Sequence, residues 1–346
     1  MKAGIACALA AAALFGASTP FARALVGAMD PLWLAGLLYA GSGTGLSLAL
    51  ALRQWHGRQR VTRVASGDRR WLAAAVTAGG VVAPILFAFG LRTTAGATAS
   101  LLLNLETVLT VAIAWFVFRE HRSARVVIGM ALIVLACVIL MEADGIAAVD
   151  RGALLIAAAC LCWAIDNNLT RMVAGNDAML VAAVKGVAGG VINVGLAILL
   201  ATHVPSPVPA FGAGAVGLLG YGVSLVLFIV SLRELGVARA SAYFATAPFI
   251  GVAVAFALLG ERPALPFWTA LPLMAVGVWL HLTERHSHEH VHERLVHEHA
   301  HRHDEHHRHA HPFPWDGTEP HTHPHEHEPR VHSHPHFPDL HHRHEH

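Results

Sequence analysis

The chain has 346 residues, of which 55% are hydrophobic and only 14% charged, and its mean hydropathy is +0.51. A soluble domain carries roughly a quarter of its residues as charge, so this composition excludes an ordinary globular protein and places the chain in the membrane class. The formal net charge of +1 gives no basis for nucleic acid as a partner.

A helix needs about 20 predominantly apolar residues to cross the hydrocarbon core. Runs of that kind lie at about 4–26, 32–52, 71–91, 95–118 and 125–141, then at about 152–172, 178–200, 212–232, 238–259 and 266–282. None alternates strictly as a membrane barrel strand does, so all ten are predicted as helices. The first run resembles a secretory signal, with Lys2, an apolar stretch and Phe15-Gly16-Ala17-Ser18 as a cleavage-like region. Its mate at 152–171 lies mid-chain, where no signal peptide can be, so it is read as the first span.

That mate reveals a duplication. Leu91–Glu120 laid 141 residues further on falls over Leu232–Glu261, so that Leu91-Arg92 meets Leu232-Arg233, Ala99-Ser100 meets Ala240-Ser241, and Glu120 meets Glu261. At a shift of 148, Gly4 meets Gly152, Phe15 meets Trp163 and Arg23 meets Arg171. Duplicated apolar units are an architecture of membrane transporters.

Basic residues in the connections set the orientation. Arg53, Arg58, Arg60, Arg63, Arg69 and Arg70 follow the second run, and Arg119, Arg122 and Arg125 follow the fourth. The opposite connections hold Arg92, Arg151 and Arg262 beside Asp30, Glu142, Asp144 and Asp150. The arginine-rich loops are therefore cytoplasmic, and with ten spans both termini are too. Each repeat holds five helices, an odd number, so the second copy enters the membrane upside down. The predicted fold is an all-α integral membrane bundle of ten transmembrane helices, in two inverted five-helix repeats at 4–141 and 152–282. The inner (plasma) membrane is the expected location.

Gly41-xxx-Gly45 and Gly186-xxx-Gly190 offer small-residue surfaces for close helix contact. Cys7, Cys137, Cys160 and Cys162 sit inside apolar runs, form no CxxC pair and read as small buried hydrophobes. Pro20, Pro84 and Pro248 fall within spans as helix breaks or kinks.

The chemistry lies in ionisable groups at membrane depth, which cost several kcal/mol unless paired or hydrated. Glu106 stands near the middle of its span, where transporter sites usually lie. Ser100, Asn104 and Thr107 recur around it at helical spacing. A carboxyl there is suited to bind solute or carry a proton. Asp166 opens the run Asp166-Asn167-Asn168, about six residues, or roughly 9 Å, from the cytoplasmic end of its helix. Lys185 has a similar depth on the next helix, so the two can form a buried salt bridge, structural or functional. Arg23 and Arg171 read as snorkelling side chains. Glu106, Asn104, Asp166, Asn167 and Lys185 are the candidate substrate or coupling-ion residues, and no catalytic constellation is expected.

Beyond His281 the composition changes. Residues 286–346 hold 23 of the 27 histidines, interleaved with Glu, Asp, Arg and Pro. So polar a segment cannot offset its ordering entropy by burial, and disorder is expected. The His286-His288-His290 and His321-His323-His325 alternations are compositional metal signals. Imidazole there suits zinc, nickel, cobalt or copper. His303-Asp304-Glu305-His306-His307 matches a box of membrane di-iron desaturases, but in such a tail the match arises by chance, and 4–282 holds only His56, His121, His203 and His281.

The two halves, each with a small-residue run ending in Glu, resemble the drug/metabolite transporter superfamily and, more narrowly, the EamA family. The matching features are Ala99-Ser100 through Glu120, and Ala240-Ser241 through Pro248 to Gly260-Glu261. One departure is that Thr107, beside Glu106, stands where the second repeat has Pro248. The resemblance implies a secondary transporter exporting small organic metabolites or drug-like solutes by alternating access. The tail suggests a second reading, a divalent metal exporter or a metal-regulated membrane protein. Against it, the spans offer Glu106, Asp166 and scattered cysteines but no helical His pair.

Overall fold

Hydrocarbon offers the backbone no hydrogen-bond partner, so apolar runs of this length must satisfy themselves as helices. The computed structural model describes residues 2–55, 64, 66–118, 124–141, 150–173, 176–235, 237–283, 287–292, 295–301, 321–327 and 330–335. The first half holds α1 (Lys2–Leu25), α2 (Pro31–Trp55), α3 (Arg69–Ala75), α4 (Ala83–Gly90), α5 (Gly96–Leu102), α6 (Asn104–Phe118) and α7 (Ala124–Met141). The second holds α8 (Arg151–Arg171), α9 (Ala178–Leu199), α10 (Pro207–Gly217), α11 (Ser224–Leu235), α12 (Val237–Phe244), α13 (Ala247–Leu259) and α14 (Leu265–Leu282). Among the described residues, eight helical stretches are long and apolar enough to cross a membrane, the last being Pro207–Ser231. The ninth and tenth predicted runs give the shorter apolar helices Ala247–Leu259 and Leu265–Leu280.

The duplication is written into irregularities as well as helices. A π-helical turn at Val76–Val82 joins α3 to α4, and a second at Leu218–Val223 joins α10 to α11. Both carry paired glycines, Gly79-Gly80 and Gly220 with Gly222, which let neighbouring helices come close to the widened turn. The fourth run breaks at Leu103 and the ninth at Ala245-Thr246, again at equivalent places. Pro248 lies in the first turn of α13, where its missing N–H costs nothing, whereas Pro20 stays inside an unbroken α1. The first-half break has no proline; there the Asn104 side chain donates to the Leu101 carbonyl.

Packing is reciprocal between the halves. α1 packs against α11 and α13 of the second half, and its mate α8 packs against α4 and α6 of the first. α2 lies against α9, and α7 against α14. Fully buried side chains from both halves, among them Leu34, Phe87, Leu101, Ile156, Phe267 and Met274, fill the interior. Leu48, Val191, Ile198, Phe211, Trp268 and Trp279 point outward, as a lipid-facing surface requires.

Glycines set the closest crossing. A Cβ on Gly43 would collide with the Gly186-Val187 backbone, and one on Gly190 with Ala40. Gly41 instead faces the Gly214 carbonyl and Gly45 faces Leu218, so the Gly41-xxx-Gly45 pair serves α10 and the following turn rather than α9. One extremity is latched by a carboxylate: Glu261 accepts hydrogen bonds from the N–H groups of Gly96 (2.6 Å) and Ala97 (2.8 Å), the first residues of α5. These donors have no intrahelical partner, and the helix dipole favours an anion there. α5 packs on α13 at that end. Among the described residues, their counterparts α6 and α12 make no comparable contact at the other end.

Residues 285–337 form a separate compact unit. β1 (Ser287–His292) pairs antiparallel with β4 (Arg330–Pro335), and β2 (Leu295–His301) with β3 (His321–His327). The physical reason is period-two alternation, as in His288-Glu289-His290-Val291-His292, which suits a ladder whose backbone groups bond each other without an apolar core.

The α2–α9 crossing yields a test. Gly186→Leu is expected to overpack it and lower stability by about 1–3 kcal/mol. Gly195→Ala on the same helix, where a Cβ meets open space, should leave stability unchanged. Thermal unfolding of the two variants in one detergent reads the difference.

Candidate functional site

The π-helical turn at Val76–Val82 is the place to begin, because its carbonyls are shared with side chains. The Gly79 carbonyl accepts from the Tyr39 hydroxyl of α2 and from Trp163 Nε1 of α8 (3.2 Å), and Trp163 Nε1 also lies 3.2 Å from the Tyr39 oxygen. The Gly80 carbonyl accepts from Asn193 Nδ2 of α9 (3.1 Å). Four elements therefore converge on one polar knot. A Cβ on Gly79 would overlap the Asp166 carboxylate, so glycine there makes room for that side chain.

Asp166 and Lys185 pair. Lys185 Nζ donates to both Asp166 oxygens at 2.6 Å and to Thr170 Oγ1 at 3.1 Å. The Thr170 hydroxyl in turn donates to Asp166 Oδ1 (3.0 Å). Asp166 is 4% exposed. An ammonium has three donors, and here all three are taken. The pair is electrically closed.

One residue along α8, Asn167 turns the other way. Its Nδ2 donates to Glu106 Oε1 (2.8 Å) and approaches Thr110 Oγ1 (3.3 Å), joining α8 to α6. Asn168 adds a second tie, from Nδ2 to the Thr110 carbonyl (3.2 Å). Glu106 is half-buried, while Asn167 and Thr107 are exposed. Among the described residues no cation stands within ion-pair distance of Glu106. A carboxylate so placed has to face a hydrated space, since hydrocarbon would exclude it.

An aromatic row runs beside this carboxylate. Tyr39 and Tyr221 have ring centroids 5.9 Å apart, Tyr221 and Phe15 5.9 Å, Phe15 and Phe244 5.4 Å, and Phe244 and Phe228 4.6 Å. Trp163 meets Phe87 at 5.4 Å. Both tyrosine hydroxyls lie within electrostatic range of Glu106.

Of the predicted residues, Glu106 meets Asn167 and Asp166 meets Lys185, with Asn167 next to Asp166 in sequence. Asn104 is not part of this cluster: it is buried at the α5–α6 break. Sequence reasoning passed over Tyr39, Thr110, Trp163, Thr170 and Tyr221. Trp163 carried a signal, standing one helical turn before Asn167 and matching Phe15 in the other repeat. Tyr39 and Tyr221 carried a weaker one, since a phenol in hydrocarbon needs a hydrogen-bond partner. His286 lies outside the described residues. The register sets His288 opposite His334, His290 opposite His332, and His321, His323 and His325 opposite His301, His299 and His297.

Apolar helices long enough to cross a bilayer, with carboxylate, amide and ammonium groups gathered between them, define a multi-pass membrane transporter. The chain belongs to the EamA-like transporter family, whose profile matches residues 2–142 and again 150–283. It is 26% identical over 289 residues to an uncharacterized transporter of Methanothermobacter thermautotrophicus, covering 79% of this chain and 84% of that one. A protein of known crystal structure shares the fold with a TM-score of 0.58 at 18% identity, over 81% of this chain and 98% of its own.

The closed pair predicts an asymmetry in mutagenesis. Lys185→Met alone leaves a buried carboxylate without its cation, and a loss of about 3 kcal/mol is expected. Lys185→Met combined with Asp166→Leu removes both charges and should recover most of that loss. Unfolding titrations of the single and double variants in a mixed detergent read it directly.

Proposed function

We propose that this is a secondary transporter that exports a small organic solute across the inner membrane by alternating access. The observation that carries this reading is the Glu106–Asn167 pair, a half-buried carboxyl at mid-span with no cation beside it among the described residues. A residue that costly to keep in a membrane is retained for something that crosses it. The shorter helices α13 and α14 complete ten crossings in this reading, in two inverted five-helix halves. In this reading both termini are cytoplasmic, which the arginine-rich connections favour. The Glu261 latch then lies at the outer end, and the loosely packed α6–α12 end opens inward. Reciprocal insertion of α1 and α8 supports this, because it gives two interchangeable arrangements of the same contacts.

The test is reconstitution of the full chain in liposomes, with counterflow of candidate metabolites. Glu106→Gln is expected to reduce solute flux at least about tenfold, the scale of one lost charged contact, while the variant keeps the wild-type elution profile. Flux that is unchanged in the variant removes Glu106 from the centre of the mechanism.

The tail supports a second role. Five positions in its two ladders set histidine opposite histidine in register, and imidazole as a residue type suits zinc, nickel, cobalt or copper. We read it as an accessory metal-binding appendage; a divalent metal exporter is the competing reading. Cells expressing the full chain or a chain ending after Thr283 separate the two, with cell-associated nickel, cobalt and zinc measured after challenge. Unchanged metal, or metal retained only with the tail, is expected. Lower cell metal that depends on the tail establishes the exporter.

A further inference from the structure

The charge inventory of the central site limits what can bind there. Of its three ionisable groups, Asp166 and Lys185 pair with each other at 2.6 Å. Every donor of the Lys185 ammonium is engaged, two by Asp166 and one by Thr170, so it offers nothing to an anion. What remains is Glu106. Its Oε1 accepts from Asn167, whose amide fixes the carboxylate's direction, and its Oε2 has no hydrogen-bond partner among the described residues. The site thus leaves one ionisable group without a charged partner among the described residues, and it is a carboxyl.

The walls identify the rest of the ligand. Tyr39 and Tyr221, from opposite halves, pair at 5.9 Å within electrostatic range of that carboxylate. Trp163, one turn before Asn167 on α8, is fixed to Tyr39 through its indole N–H. Phe15 and Phe244 extend the row from Tyr221. All five rings are partly exposed rather than sealed in the core. Aromatic faces attract cations through their quadrupole, most strongly where water is excluded. They also bury an apolar body. A bare metal ion is the poorer fit, because no three His, Cys, Asp or Glu side chains converge among the described residues.

We propose that the transported solute is an organic cation, an ammonium or similar group on an aromatic or apolar body, with its charge met by Glu106 and its body held by Tyr39, Trp163 and Tyr221. This rests on the transporter reading above and adds the chemical class of its substrate. Glu106 supplies the counter-charge, Asn167 positions it, and the Asp166–Lys185 pair holds α8 and α9 in place without contacting the solute. Zwitterions and anions are disfavoured because, among the described residues of the site, the one basic side chain, Lys185, is already engaged by Asp166 and Thr170.

The test uses shape-matched probes on the full-length protein in lipid nanodiscs. Benzyltrimethylammonium and tetraphenylphosphonium are the cations; neopentylbenzene is the neutral isostere of the first, and phenylacetate is the anion. Equilibrium binding is followed by quenching of tryptophan fluorescence. Saturable binding of at least one of the two cations is expected, with no competition from neopentylbenzene or phenylacetate. Glu106→Gln should weaken it about tenfold or more. Glu106→Asp, which keeps the charge, should retain part of the affinity, and Tyr221→Ala should lose several-fold. The proposal is overturned if neither cation binds, if the neutral or anionic probe competes equally, or if Glu106→Gln binds as the wild type does. Counterflow in liposomes with the same four probes keeps the two readings apart. Flux of phenylacetate or neopentylbenzene without that of a cation preserves the transporter and sinks the cation. Cation binding without any flux does the reverse.

Discussion

The interior of a bilayer accepts almost no unpaired polar group, and the rest of this structure follows from how each one is discharged. Where the chain departs from a regular helix, at Val76–Val82 and Leu218–Val223, the buried glycine faces of the departures pack against other helices. The carbonyls of Gly79 and Gly80 are answered by Tyr39, Trp163 and Asn193 from three other spans. Those bonds fix the side from which α2, α8 and α9 approach the turn. They also bring Asp166 and Lys185 into contact on one side and leave Asn167 turned toward Glu106 on the other. A polar requirement of the backbone thus organises the side chains that a solute would meet.

Much of this was legible in the chain. Repetition at shifts of 141 and 148 residues identifies the two halves, and ionisable residues in apolar runs stand out because composition makes them costly. Glu106, Asp166, Asn167 and Lys185 are visible for that reason alone. The aromatic row was not legible, since Phe15, Tyr39, Trp163, Tyr221 and Phe244 come from five separate stretches and each looks like ordinary core in its own helix. The π-helical turns were equally hidden, because glycine pairs are common in a chain with 31 glycines. Asn104 opens α6 two residues before Glu106 and is buried, its amide donating to the Leu101 carbonyl across the break at Leu103, a local role that spacing alone does not reveal.

The tail illustrates a different limit. Its composition argues against a buried core, and that argument holds for the sequence between its strands as well as within them. Composition is silent about alternation, however. Histidine at every second position gives two faces of unlike chemistry, and antiparallel pairing then sets histidine opposite histidine at five positions. A two-stranded ladder is marginal by itself in water, so whatever binds across it has a large say in whether it persists.

The carboxylate of Glu261 at the start of α5 has a consequence for energetics. Its partners are two backbone N–H groups rather than a basic side chain, and it is only partly buried. Parting them returns one anion and two amides to water, which solvates all three well. The net gain from such bonds is about 1 kcal/mol each, far below what separating a buried ion pair would take. A contact built this way ties the two repeats together yet costs little to part, whereas the Asp166–Lys185 pair costs far more. The same protein therefore carries a stiff joint in its middle and a compliant one at its rim.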